Sequence, residues 1–567
     1  MKKLICILLS LLLVLAVFSA CGKEPTTESG TEKEPVTDTT DSATPEAPPD
    51  GTGTPEGTPP EMPPDGQPGG PGGTPPDGQP GGPGGTPPDG QPGGPGGTPP
   101  DGQPGGPGGT PPDGQPGGPG GTPPDGQPGG PGGTPPDGQP GGPGGTPPDG
   151  QPGGPGGPGG GSADVDYKGA AEITSADSRS GETYASTTAD ESALLISTSD
   201  AVTITDPSVT KSGDSDGGDN CSFYGLNAAV LVKDGAKAEI TGGTVTSDAK
   251  GANGVFCYGG NGGRNGAVGD GTTLTIRDVT IVTTGDGSGG IMTTGGGTTY
   301  AYDLTVTTSG RSSAAIRTDR GGGTVTVDGG TYTTSGLGSP AIYSTAAVTV
   351  SNAVLTSNLS EGVCIEGKNS ITLNNCDLTA NNTQRNGHAT FLDSIMIYQS
   401  MSGDADSGTS SFTMTGGSLT SKSGHVFHVT NTNAVITLSG VRITNEDPEN
   451  VLLSVCDDGW SGAGNTAALK AVGQVLTGAV KVGSNSTLTL ELTEGSSFEG
   501  FIDGRITNAK GETVSAEAGT VSLTLDAAST WTLTGDSYLS SFTGDPANIT
   551  SNGYTVYVNG TALTGTK

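Results

Sequence analysis

The amino-acid sequence predicts an all-β protein whose folded part is a solenoid of short strands, a parallel β-helix, preceded by a long Pro/Gly-rich segment. Three observations predict it. Residues of one conformational kind, Asp, Asn or Gly, interrupt alternating apolar/polar runs again and again. Apolar residues stand at fixed offsets on either side of each interruption. And near residue 163 the composition turns from Pro/Gly repeats to Thr, Ser, Val, Ile and Gly.

The 567 residues include 106 glycines and 45 prolines, and only 29% are apolar and 4% aromatic. That is too little apolar surface for one compact globule, so the segments are read separately. The net charge is −35 with no compensating basic stripe, which argues against nucleic acid and anionic membrane surfaces as partners.

Residues 1–20, MKKLICILLSLLLVLAVFSA, place two lysines before a continuous apolar run that ends in small residues, the pattern of a secretory signal. The junction FSACGKEP resembles a bacterial lipobox. Cys21 matches the acylated position, Ser19, Ala20 and Gly22 supply the small residues, and Phe18 stands where leucine is usual. The resemblance implies an exported protein anchored to the membrane through lipid on Cys21 and displayed at the cell surface. Several acyl chains would hold it firmly where one would be marginal.

A polar Thr/Glu/Pro linker occupies 21–61, and the twelve-residue unit TPPDGQPGGPGG fills 62–162. Seven perfect copies run from Thr74 to Gly157, after one with Met62 in place of threonine. Collagen needs glycine at every third position, and every fourth triplet here breaks that rule. Almost nothing in the unit can enter a core, so a disordered stalk is expected. From Gly22 to Ser162 it would span roughly 60–70 Å as a Gly-rich coil, and up to roughly 440 Å as extended polyproline helix.

Beyond residue 163 the interrupting residues are Asp206, Gly242, Asp278, Asp303, Gly329, Asn352, Asn375, Gly416 and Gly440. These are the residue types that most easily adopt left-handed backbone angles. Two positions before each, and three positions after, the residue is apolar, as with Ile276 and Ile281 around Asp278. The pattern describes a corner between two short strands that bury side chains in the same interior. Constant corner chemistry at intervals of 23 to 41 residues fits stacked coils with loop insertions. A second series, including GLNAAVLV, GANGVFCY, SSAAIRT and SEGVCIEG, supplies another wall. Roughly twelve coils are expected, a rod of about 60 Å at ~4.8 Å per coil. The β-helix is expected over 163–480, with terminal coils and a cap over 481–567, where Trp531 is expected to cover the last coil.

The segment Ser529 to Phe542, with Trp531, Thr534, Gly535 and Ser537, resembles the terminal rungs of pertactin-like adhesin passengers, although no translocating barrel follows. The whole of 163–567 resembles right-handed parallel β-helix, or pectate-lyase-like, surface proteins. That resemblance implies right-handed coiling and a function among adhesins, polysaccharide lyases and glycoside hydrolases, because fold alone does not choose between them.

Catalytic signatures are sparse. CDDGW supplies Asp457 and Asp458 and SGHVFHV supplies Gly424 and His425, but the other hydrolase-type motifs are missing; His425 and His428 are the one near pair of histidines, and a His-based metal site is not expected. The best basic–acidic cluster is SGRSSAAIRTDRGGGT, with Arg311, Arg317, Asp319 and Arg320, to which the alignment adds Tyr343 one coil away. Arginine beside tyrosine can hold a sugar or a carboxylate, whereas an Arg317–Asp319 ion pair is the plainer alternative. Asp214, Asp216 and Asp219 lack EF-hand spacing and read as a loop insertion. Five domain cysteines, Cys221, Cys257, Cys364, Cys376 and Cys456, show no CxxC spacing and read as packed thiols. No cofactor and no metal is expected. The expectation is an adhesive head for glycans or for host or neighbouring-cell surfaces. A β-helix polysaccharide lyase or hydrolase, or an envelope spacer, are the alternatives.

Overall fold

The computed structural model describes residues 165–262, 268–460 and 464–567. The signal segment, Cys21, the linker 21–61 and the repeats at 62–162 lie outside the described residues.

The described chain is a parallel β-helix with three walls. The first wall stacks thirteen strands from Lys168–Ile173 to Ile502–Asp503, and the second stacks fourteen from Asp177–Ser180 to Ser541–Thr543. The third begins with ten strands, Thr183–Ser186 to Arg442–Asn445. It resumes as Val475–Thr477, Ser497–Gly500, Thr530–Leu533 and Ile549–Thr550. Each coil visits the walls in that order, so within each sheet of the walls a strand pairs in parallel with the strand one coil away, as Thr273–Arg277 does with Lys237–Thr241 and with Gly297–Tyr302. The thirteen turns compare with the twelve expected.

The corner between the second and third walls is two residues long in every coil from Ser180 to Val475. All nine recurrent interruptions stand at its first position with φ between 49° and 77°. The bend does not break the ladder: the Asp278 N–H donates to Tyr302 O at 3.0 Å, and Thr280 N–H to Gly243 O at 3.2 Å. Three further corners share the geometry, Gly181, Gly473 and Glu494. Asn352 and Asn375 add a side-chain ladder, Asn375 Nδ2 donating to Asn352 Oδ1 at 3.0 Å and Asn352 Nδ2 to Asp328 Oδ1 at 2.7 Å.

The corner fixes which side chains turn inward. Ile240, Ile276 and Ala301 line one interior column and Val245, Ile281 and Val306 the opposite one, all buried in a single core. At the far corner, Ser288, Ser313 and Ser339 stack inside the coil. Each takes the N–H of the coil before, Ser288 N–H donating to Ser313 Oγ and Ser313 N–H to Ser339 Oγ, and each hydroxyl donates to a backbone carbonyl. Lys211 replaces the small residue in its column and donates to Thr188 O and Gly213 O. Where the third wall changes sheet, the Gln474 side chain substitutes for a strand: Val441 N–H donates to its Oε1, and its Nε2 donates to Val441 O.

Trp531 does not cover the last coil. It is fully buried, stacked on Phe498 with centroids 5.7 Å apart, and Ile549–Thr550 pairs beyond it. A ring that large needs apolar neighbours on both faces. The edge is finished instead by the carboxy-terminal tail, where Lys567 N–H donates to Ile549 O and Ser551 N–H to Lys567 O.

Because Asn352 holds φ at 55°, Asn352→Val is expected to lower stability by about 1–2 kcal/mol, whereas Asn352→Gly should stay within about 0.5 kcal/mol. Urea unfolding midpoints of the two variants check this; equal midpoints would remove the backbone argument.

Candidate functional site

Among the described residues the long insertions stand at the corners that flank the first wall, as at 212–229, 381–392, 399–408 and 456–460. They fold back over that wall and bury its outer face. Its outward column starts apolar, with Leu195, Leu231, Phe256 and Met292 in register. Phe223 and Tyr224 of a short helix, Asp219–Tyr224, cover it, so the acidic loop around Asp214 and Asp216 ends in a helical turn.

At Arg317 the column turns polar. Arg317 stands in register with Tyr343, its guanidinium carbon 5.7 Å from the ring centre. Arg317 donates to Asp319 Oδ2 at 2.7 Å, and the two side chains are only 14% and 4% exposed. Burial pushes the Asp319 carboxyl up and the Arg317 charge opposes it. Tyr343 and Tyr398 both donate to Glu366 Oε2, while Ser400 and Ser402 donate to Oε1. Burial raises Glu366 even with this set of donors. Arg320 donates to Asp404 Oδ1 at 2.9 Å and lies 4.4 Å over the Phe223 ring, joining two insertions. Arg311 reaches a third through Asn386 Oδ1 at 3.1 Å. The five residues singled out in the sequence are thus brought to one wall, where they clamp its cover; their polar atoms are committed to partners inside the protein.

A second polar network lies four coils along. Ser454 Oγ is 2.7 Å from Nδ1 of both His425 and His428, and His428 Nε2 faces Asp458 Oδ2 at 3.4 Å. One hydroxyl proton can serve only one imidazole. The carboxylate favours a proton on His428 Nε2, so the Ser454 hydroxyl donates to His428 Nδ1 and His425 Nδ1–H donates to Ser454. Burial raises Asp458, but His428 and the Thr390 N–H outweigh it and hold the carboxyl below its usual range. His425 is driven down to about 3, by burial first and then by His428 and Lys481. The connectivity is that of an activated hydroxyl, yet Ser454, His428 and Asp458 are fully buried, and the Phe391 ring lies 4.6 Å from His428. The histidine pair and the Asp doublet are separate in the sequence; their meeting depends on residues 456–460 folding back. Gly459 allows it, since a Cβ there would lie 1.8 Å from His388 O.

Among the described residues no group of three or more His, Cys, Asp or Glu side chains is arranged to hold a metal ion. The five cysteines are buried free thiols. Among the described residues the second and third walls carry no comparable cover, and their outward positions, such as Thr305, Thr307, Thr324 and Thr326, are exposed or half-buried hydroxyls.

No family model, curated protein or solved structure matches the chain.

Two predictions follow from the cover. Arg317→Ala strands a buried carboxylate and is expected to cost about 3–5 kcal/mol, while Arg317→Met with Asp319→Leu should lie much closer to the parent. Thermal unfolding decides, and an Arg317→Ala variant as stable as the parent would mean that the pair holds nothing. His425 is neutral when folded, with its pKa depressed from the ordinary 6.5 to about 3. Its stabilising contribution is complete above pH ~6.5 and is lost as the pH falls towards 3, up to about 5 kcal/mol in all. Urea midpoints against pH should slope less in His425→Gln than in the parent.

Proposed function

We propose that the chain is a lipid-anchored cell-surface protein whose β-helix head is an adhesive surface for glycans or for host or neighbouring-cell surfaces. The observation that carries this reading is the division of labour between walls. Asp319, Glu366, His428 and Asp458 lie buried beneath the insertions of the first wall, whereas the second and third walls offer long rows of hydroxyls. Many weak hydroxyl contacts along a rigid face add up by multivalency. The signal segment and the lipobox-like FSACGKEP support display at the membrane, and the repeat stalk supplies reach. A β-helix lyase or hydrolase would need an exposed pair of carboxylates or a basic residue facing bound calcium, and the sealed carboxylates of the first wall lack that exposure.

The full-length chain, presented on cells, is expected to bind at least one polysaccharide or cell surface without releasing reducing ends. Release that survives extensive purification would move the protein to the lyase or hydrolase class. Absence of any binding would leave the envelope spacer. Cys21→Ser is expected to shift the protein from the membrane fraction to the soluble fraction; retention in the membrane would exclude the lipid anchor.

A further inference from the structure

Resting on the adhesive reading, we infer that the corner between the first and second walls holds a subsite for one neutral sugar ring, the end or a side branch of a glycan. Successive coils turn this corner with segments of different length, 319–322, 345–346, 367–369 and 399–408. The shortest of them, Thr345 and Ala346, is recessed between longer neighbours, and a hollow of about 230 Å³ opens over it. Gly322 and Gly323 bound the hollow on one side, with no side chains to fill it, and Lys368, Asn369 and Ser370 bound it on the other. The methyl groups of Ala346 and Ala347 complete the lining.

Thr345 is fully buried and its N–H donates to Thr318 Oγ1 at 2.8 Å, yet its own hydroxyl has no hydrogen-bond partner. A buried hydroxyl left unpaired is a cost to the folded chain, and its proton rotates to suit the group that arrives. The rim sets the charge of the ligand. Lys368 Nζ lies 2.9 Å from Asp406 Oδ2, and the two side chains stay 46% and 30% exposed. This balanced pair offers no net charge to an ion. It does place an ammonium, which only donates, beside a carboxylate, which only accepts, and adjacent sugar hydroxyls do both. The alanine methyls suit the C–H face of the same ring. The volume sets the size, since pockets for drug-sized ligands run to roughly 300–1,000 Å³; the smaller hollow suits one ring and not a stretch of chain. Weak binding of a single ring gains strength when many heads meet many chain ends.

The test is saturation-transfer NMR of the full chain with a panel of neutral methyl glycosides and N-acetylglucosamine, with glucuronate and glucosamine as charged comparisons. The parent is expected to bind at least one neutral sugar more tightly than either charged one. Thr345→Val keeps the shape and removes the hydroxyl; it is expected to weaken that binding tenfold or more and to leave the unfolding midpoint unchanged or raised. Ala347→Trp, at an exposed position, fills the hollow and should abolish binding. Ala201→Trp should leave binding unchanged, because Ala201 is exposed in the same column but separated from Ala347 by Lys237, Thr273, Thr298 and Thr324. Unaltered circular dichroism and unfolding midpoints ensure that the tryptophan variants are folded. Sugar binding that survives either Thr345→Val or Ala347→Trp, or that is lost with Ala201→Trp, overturns this inference and leaves the adhesive reading standing. So does a preference for a charged sugar, or binding of polysaccharides or cells with no single sugar bound. No binding of the parent to any sugar, polymer or cell overturns both.

Discussion

The structure depends on one backbone constraint, a left-handed residue at the corner between the second and third walls. A coil must change direction there while every N–H and C=O goes on pairing with the coils above and below, since a buried unpaired group costs as much as a lost hydrogen bond. A positive φ at the first corner position meets both demands, and the amides on either side of it remain in the ladder. With that corner only two residues long, the strand before and the strand after are locked in phase, so their apolar residues fall inward together. The register of the core, the stacking of the serines and the straightness of the outward columns all follow.

The other two corners are under no such limit, and among the described residues the long insertions go there. Both flank the first wall, so that wall alone can be roofed. The roof brings ionisable groups out of water, and each has to be matched: Arg317 with Asp319, Arg320 with Asp404, Glu366 with hydroxyls from four side chains. Such buried pairs contribute little net stability but are costly to break. They therefore serve as fasteners that specify how the loops lie.

The fold was legible because its signal is local and repeated. A residue such as Asp278 between Ile276 and Ile281 states a corner by itself, and recurrence makes it a solenoid. Glu494 escaped notice because it takes a left-handed angle without belonging to the usual residue types. The Arg317 to Tyr343 neighbourhood was legible as proximity, through coil-to-coil register. Its burial was not, because covering comes from Asp404 and Asn386, far along the chain in segments without periodicity. For the same reason Ser454 could not be joined to His425, His428 and Asp458. Trp531 was misplaced by one rung, since a large aromatic near the end of a pattern looks like a lid whether or not another strand lies over it.

The direction of the backbone hydrogen bonds has a mechanical consequence. In a β-helix they point along the axis, so tension applied lengthwise loads successive coils in series and peels them one rung at a time from an end. The serine stack and the Gln474 amide bridge lie parallel to the same direction and act as extra ties between neighbouring rungs. A head gripped along several coils at once would pass the load sideways into many rungs together. It would yield as a shear joint, and hold far longer than the same head pulled from its end.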